Sequence, residues 1–167
     1  MTEHVHRDDF GSRLGMWLFL VTEMVLFGGL FIAYSAMRHR YPMEFHQAGA
    51  ELNATLGIIN TVVLLTSSLT VVLSIVAMQR GDKKRTIGFL SSTLVLGLVF
   101  LIIKAFEWSA KFHHGLYPNA PHLATLPPGE QVFFGLYFSM TGLHGLHIVA
   151  GMGLLAWVLY MVIQNQV

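Results

Sequence analysis

Glu23 is a carboxylic acid inside an apolar run, Trp17-Leu-Phe-Leu-Val-Thr-Glu23-Met-Val-Leu-Phe27. If that run crosses a membrane, Glu23 lies roughly 14 Å deep at about 1.5 Å per residue. An acid there costs about 3 kcal/mol or more, so it must face protein, water or a lipid head group. Its chemistry is that of an intramembrane proton or polar-contact site. The plainer alternative is a neutral Glu making one interhelical hydrogen bond. Lys104 and Glu107 stand three residues apart, on one helical face, with Trp108 beside them. That spacing suits an ion pair near a helix end, where Lys can also snorkel and Trp joins the interfacial aromatic belt. His144 and His147 share a face in Thr141-Gly-Leu-His-Gly-Leu-His-Ile-Val-Ala-Gly151. Ligation of haem between helices needs a second histidine at matching depth on another helix. His4, His6, His39, His46, His113, His114 and His122 all fall in connections or at helix ends. Interhelical hydrogen bonding or lipid contact is the expected role of the pair.

The elements that must hold these residues are long and apolar. Of the 167 residues, 54% are hydrophobic and only 11% charged. A soluble domain carries about 25% charged residues, so this chain has too little charge to coat a water-exposed surface. The expected fold is all-α, a polytopic transmembrane bundle of four helices over about 14–36, 54–78, 86–110 and 132–163, in one domain spanning 1–167. Each block exceeds the ~20 residues that cross a hydrocarbon core, and in lipid the backbone can satisfy itself only as helix. The connections 37–53, 79–85 and 111–131 are polar, and the last holds four of the five prolines, so all three read as turns or surface loops.

The fourth block carries Gly135, Gly142, Gly145, Gly151 and Gly153, and Gly28 and Gly29 follow Glu23. Small residues let membrane helices approach closely, so packing is their expected use. Asn60, Thr61, Thr66, Ser67 and Ser68 add hydrogen-bonding capacity to the second helix. Arg7, Arg13, Arg80, Lys83, Lys84 and Arg85 fall on one side of a four-helix arrangement, against Arg38, Arg40 and Lys111 on the other. The positive-inside rule then predicts a cytoplasmic N-terminus. No cleavable leader is expected, because the first apolar block is too long and lacks a small-x-small site.

Several classes are excluded. The net charge of +1 gives no basis for nucleic-acid binding, and the absence of cysteine removes disulfides and thiolate chemistry. No phosphate-binding loop, catalytic triad spacing or metal-ligand spacing is present. The residues point to an accessory membrane subunit with no catalytic centre of its own.

Four segments, in order, resemble subunit III of haem-copper oxidases: the Glu23 helix, Asn60-Thr-Val-Val-Leu-Leu-Thr-Ser-Ser68, Lys104-Ala-Phe-Glu107-Trp108, and the Thr-Gly-x-His-Gly-x-His run at 141–147. The resemblance implies a non-catalytic subunit of a proton-pumping cytochrome c oxidase in aerobic electron transport. Such a subunit packs on subunit I, beside subunit II and small subunits. It holds no haem or copper itself. It carries phospholipid and supports oxygen access and proton uptake from a bacterial cytoplasmic membrane. Glu23 would be the cleft glutamate. Asn60, Lys104, Glu107, Trp108, His144, His147, Gly142 and Gly145 would serve packing and polar contact. A quinol oxidase subunit III and a nitric oxide reductase-associated homologue share the motifs. From other classes, a haem-b membrane anchor and a small transporter built on Glu23 are the alternatives. Compared with the seven-helix form, two N-terminal helices are lacking, and one more helix is expected after the last block.

Overall fold

A computed structural model describes residues 9–113, 115–117 and 120–164. Arg7, His4, His6 and His114 lie outside the described residues. The elements are α1 (Asp9–Arg40), α2 (Pro42–Ala50), α3 (Ala54–Gln79), α4 (Lys83–His113), a 3-10 turn (Leu123–Thr125) and α5 (Pro128–Ile163). The described residues contain no strand. Four helices are long and apolar enough to cross a membrane: Phe10–Arg40, Ala54–Gln79, Lys83–His113 and Pro128–Ile163. The expected spans fall inside them. At about 1.5 Å per residue the 32-residue α1 reaches roughly 48 Å, more than a hydrocarbon core of about 30 Å, so its ends extend into the interfaces.

The connections are more ordered than polar composition suggests. Residues 42–50 form a helix begun by Pro42, whose fixed φ suits a first helical turn. Phe45 and Ala48, three apart, are its buried face, and the Phe45 ring meets Phe133 of α5 edge-on at 5.3 Å. In the third connection, α4 runs on to His113 and α5 begins at Pro128. Asn53 starts α3 by accepting the amide hydrogens of Thr55 and Leu56 at 3.1 and 3.3 Å. The α3–α4 turn needs a left-handed residue, supplied by Gly81 at φ 71°. Asp82 then caps α4, accepting from the Arg85 amide at 3.1 Å.

The chain divides into two compact units, residues 1–42 and 43–167. The first unit is α1. Its large apolar side chains, Trp17, Met24 and Ile32 among them, are exposed within this chain. In a membrane that surface is covered by acyl chains or by other helices, so its exposure carries no hydrophobic penalty there.

In the second unit, α3 and α4 form an antiparallel pair and α5 packs on α4. The buried stripe of α4 runs Thr86, Leu90, Thr93, Gly97, Phe100. Its alternating spacing of four and three is the repeat that keeps one face toward a neighbouring helix. Two contacts fix the register. The Thr70 and Thr93 hydroxyls lie 2.8 Å apart. The buried Lys111 ammonium donates to the Glu51 carbonyl at 2.7 Å. At the opposite end, Lys83 donates to the Ile163 carbonyl at 2.8 Å, placing a cation at the negative C-terminus of α5.

Candidate functional site

The polar centre of the second unit is built by α4 and α5. Lys104 Nζ and Glu107 Oε2 are 2.8 Å apart, with side chains 24% and 10% exposed. Tyr137, on α5, donates its hydroxyl to the other carboxylate oxygen, Oε1. The Lys104 ammonium also lies 5.8 Å from the centre of the Tyr137 ring, within cation–π range. The acid therefore has a cation on one oxygen and a phenol on the other. Such a cluster is neutral overall, which is the condition under which charge is tolerated between membrane helices.

Helical spacing brings Lys104 and Glu107 together. Tyr137 joins them through the antiparallel approach of α5, thirty positions away, and no local spacing announces it. Trp108 continues the same layer. Its ring lies 5.3 Å from Phe138, and its edge fills the space over Gly142, where a Cβ would come within 3.3 Å of Cη2. A closer approach, absent from the sequence reading, joins Gly97 of α4 to Met152 of α5, where a Cβ would lie 2.9 Å from the sulfur. Gly135, Gly145, Gly151 and Gly153 face open space within this chain.

His147 donates from Nδ1 to the Leu143 carbonyl at 2.7 Å, back along its own helix. His144 meets Phe100 edge-on at 5.9 Å. Both rings line a cavity of about 250 Å³ between α3, α4 and α5, with Ser67, Thr93, Gly97 and Met152 on its walls. A second cavity, about 290 Å³, is lined by Lys104, Trp108, Thr141, Gly142, Gly145 and Leu146. Among the described residues, no group of three or more His, Asp or Glu side chains is placed to hold a metal ion.

In α3, Thr61 and Thr66 donate back to the Gly57 and Val62 carbonyls of their own helix. The hydroxyl that reaches α4 is Thr70. Asn60 is buried at 4% exposure, and neither its Nδ2 nor its Oδ1 has a hydrogen-bond partner. Glu23 is half-buried near the middle of α1, one residue after Thr22, whose hydroxyl donates to the Phe19 carbonyl at 2.7 Å.

The sequence profile of cytochrome c oxidase subunit III matches residues 1–167. The chain belongs to the cytochrome c oxidase subunit III family. Among curated relatives, the cytochrome bo(3) ubiquinol oxidase subunit 3 of Pseudomonas aeruginosa is 30% identical over 169 residues, covering 97% of this chain and 72% of the relative. The cytochrome c oxidase subunit 3 of Alkalihalophilus pseudofirmus is 34% identical over 152 residues, covering 90% of this chain and 67% of the relative. A haem-copper oxidase subunit I+III of Aeropyrum pernix is 28% identical over 144 residues, covering 83% of this chain and 16% of the relative. This subunit III family member therefore resembles proteins named for both cytochrome c and quinol oxidases. Its motif residues Glu23, Asn60, Lys104, Glu107, His144 and His147 all lie on the four long helices.

Proposed function

We propose that this chain is the non-catalytic subunit III of a proton-pumping haem-copper terminal oxidase. It packs on subunit I in a bacterial cytoplasmic membrane, with its N-terminus in the cytoplasm, as one transmembrane domain. The family match along all 167 residues carries the reading. The relative whose name joins subunits I and III supports subunit I as the main partner, with subunit II and small subunits beside it. The exposed apolar faces of α1 and α5 suit burial against such a partner and against phospholipid. Glu23 serves as the intramembrane acid of a lipid-lined cleft that supports oxygen access and proton uptake. Haem and copper belong to the partner subunits. The packing residues are Asn60, Lys104, Glu107, Trp108, Gly142, Gly145, His144 and His147.

Cytochrome c is the proposed electron donor. The relative at 34% identity is named a cytochrome c oxidase subunit, against 30% for the bo(3) ubiquinol oxidase subunit. The quinol reading is favoured by that second relative. Affinity purification of the tagged chain in mild detergent tests the whole proposal. A large haem-bearing subunit should co-purify, and the complex should oxidise reduced cytochrome c. Oxidation of quinol alone selects the second reading, and recovery without any haem-bearing partner overturns both.

A further inference from the structure

Arg80, Lys83, Lys84 and Arg85 fall within six residues at the α3–α4 turn, beside a single acid, Asp82. All four cations are exposed. Two of them are engaged. Arg85 pairs with Asp82 at 3.1 Å, and Lys83 donates to the Ile163 carbonyl at the end of α5. The Arg80 and Lys84 side chains have no partner among the described residues. Lys83, Lys84 and Arg85 also fill the first turn of α4, which holds no acid, although the positive end of a helix favours acids there. A helix end carries roughly half a charge, so the C-termini of α3 and α5 offset only part of the cationic surplus. The packing of the turn itself has no use for the remainder.

The surroundings indicate what would use it. The Lys83–Ile163 contact brings the end of α5 to this turn. Tyr160 and Trp157 precede Ile163 by three and six residues, roughly 5 and 9 Å further in along the helix, and both are exposed. Such aromatics sit at the level of lipid head groups. The cations thus stand where phosphates lie, outward of the exposed Ile75 and Val76 of α3. An acidic protein segment would use the cations and not the rings. A lipid uses both, its phosphate on the cations and its glycerol and chains against the apolar side chains. We propose that Arg80 and Lys84 hold the head group of an anionic phospholipid of the leaflet that this turn faces, while Lys83 and Arg85 fix the turn. Arg supplies a planar fork for two phosphate oxygens, and Lys a compact point charge. Attraction to an anionic leaflet fades within a Debye length, so cations act on it only from such a juxtamembrane position. The site is separate from Glu23, which belongs to α1. The inference rests on the membrane-spanning character of α3, α4 and α5, and not on which oxidase holds the chain.

The test compares wild type, Arg80→Gln/Lys84→Gln and, as a control with equal loss of charge, Arg38→Gln/Arg40→Gln, each purified in mild detergent with its natural partners. Phosphatidylglycerol, phosphatidylcholine or inorganic phosphate is titrated against the thermal midpoint, and native mass spectrometry identifies retained lipid. Phosphatidylglycerol should raise the wild-type midpoint saturably, and the other two should not. The turn variant should need about thirtyfold more phosphatidylglycerol for half the effect, the worth of two juxtamembrane cations, and should retain less anionic lipid. The control should respond as wild type does. Equal responses of wild type and turn variant mean a merely solvated cluster and overturn the proposal. So do a wild-type shift with inorganic phosphate alone, an equal weakening in the control, or loss of a partner protein from the turn variant with its lipid unchanged. Should the double variant fail to assemble, Lys84→Gln alone should show a weakening of about fivefold, the worth of one cation, and an unchanged response overturns the proposal. Neither readout involves haem or turnover, so failure here is distinct from failure of the oxidase assignment.

Discussion

Tyr137 donates its hydroxyl to Glu107 across the α4–α5 interface, on the carboxylate oxygen opposite the one that Lys104 holds. The two oxygens of one acid thus tie a local ion pair to a distant helix. The consequence is an order among substitutions. Tyr137→Phe removes one hydrogen bond and leaves the ion pair, for a cost of about 1–2 kcal/mol. Glu107→Gln leaves Lys104 uncompensated, which for a buried pair costs about 3 kcal/mol. Lys104→Met combined with Glu107→Leu removes both charges and should cost less than Glu107→Gln alone. Thermal retention of the subunit in the detergent-solubilised complex measures all three. Equal losses for the single and the paired charge removals would contradict a compensated buried pair.

Gly97 and Gly142 give a second ordering, opposite to the one that distance alone suggests. An added Cβ would lie 2.9 Å from the Met152 sulfur at Gly97, and 3.3 Å from the Trp108 ring at Gly142. Methionine can turn aside about three soft torsions, whereas the indole is rigid and already packed on Phe138. Gly97→Ala should therefore be nearly neutral, its strain offset by the roughly 1 kcal/mol that Ala gains over Gly in a helix. Gly142→Ala gains the same helix preference but should still destabilise, by about 1–2 kcal/mol net, as overpacking does. Gly153→Ala, with open space at its Cβ, serves as the control and should not destabilise. The same thermal assay, run on the three variants side by side, reads the ranking.

Under the proposed function, Glu23 is the intramembrane acid of the lipid-lined cleft. Replacing the acid by Glu23→Gln keeps the size and a hydrogen-bonding head but cannot ionise. Under the proposed function, initial oxygen consumption stays near that of wild type, because the reacting centre lies in another subunit. The defect develops as activity declining faster over sustained turnover. Oxygen-electrode traces carried to enzyme exhaustion record both phases. An immediate, complete loss of activity would instead place Glu23 in a transport or catalytic step.

The spans were legible because each is a long, nearly charge-free block, and lipid leaves the backbone no alternative to helix. The helix α2 was not, since its apolar face is only Phe45 and Ala48 within a polar connection. Lys104 and Glu107 could be paired from spacing, as both belong to one helix. Tyr137 could not, because its contact depends on how far α5 slides along α4. The hydroxyls of α3 show the same limit. Thr61, Thr66 and Thr70 are chemically alike, and only the rotation of α3 about its axis decides that Thr70 meets α4. Glycine content likewise marks α5 as able to pack closely, without telling that Trp108 seats on Gly142 and leaves Gly145 open.

Thr70 and Thr93 allow the interhelical hydrogen bond to be weighed against the buried ion pair. Their hydroxyls lie 2.8 Å apart. Thr70 also reaches the Ser67 carbonyl at 2.8 Å, and Thr93 the Phe89 carbonyl at 2.9 Å. Two hydroxyl hydrogens thus serve three acceptor contacts, so whichever threonine donates across the interface leaves its own carbonyl contact unused. Deleting either hydroxyl returns the survivor to its own helix, and no buried group is stranded. Thr70→Val and Thr93→Val should each cost under about 1 kcal/mol, with a coupling near 0.6 kcal/mol, the average for membrane-buried pairs. That is several-fold below the effect expected of Glu107→Gln, whose removal strands a charge. A double-mutant cycle on thermal stability measures the coupling. A value above about 2 kcal/mol would mean that the hydroxyl pair, and not the Lys104–Glu107–Tyr137 cluster, is the main polar fastening of these helices.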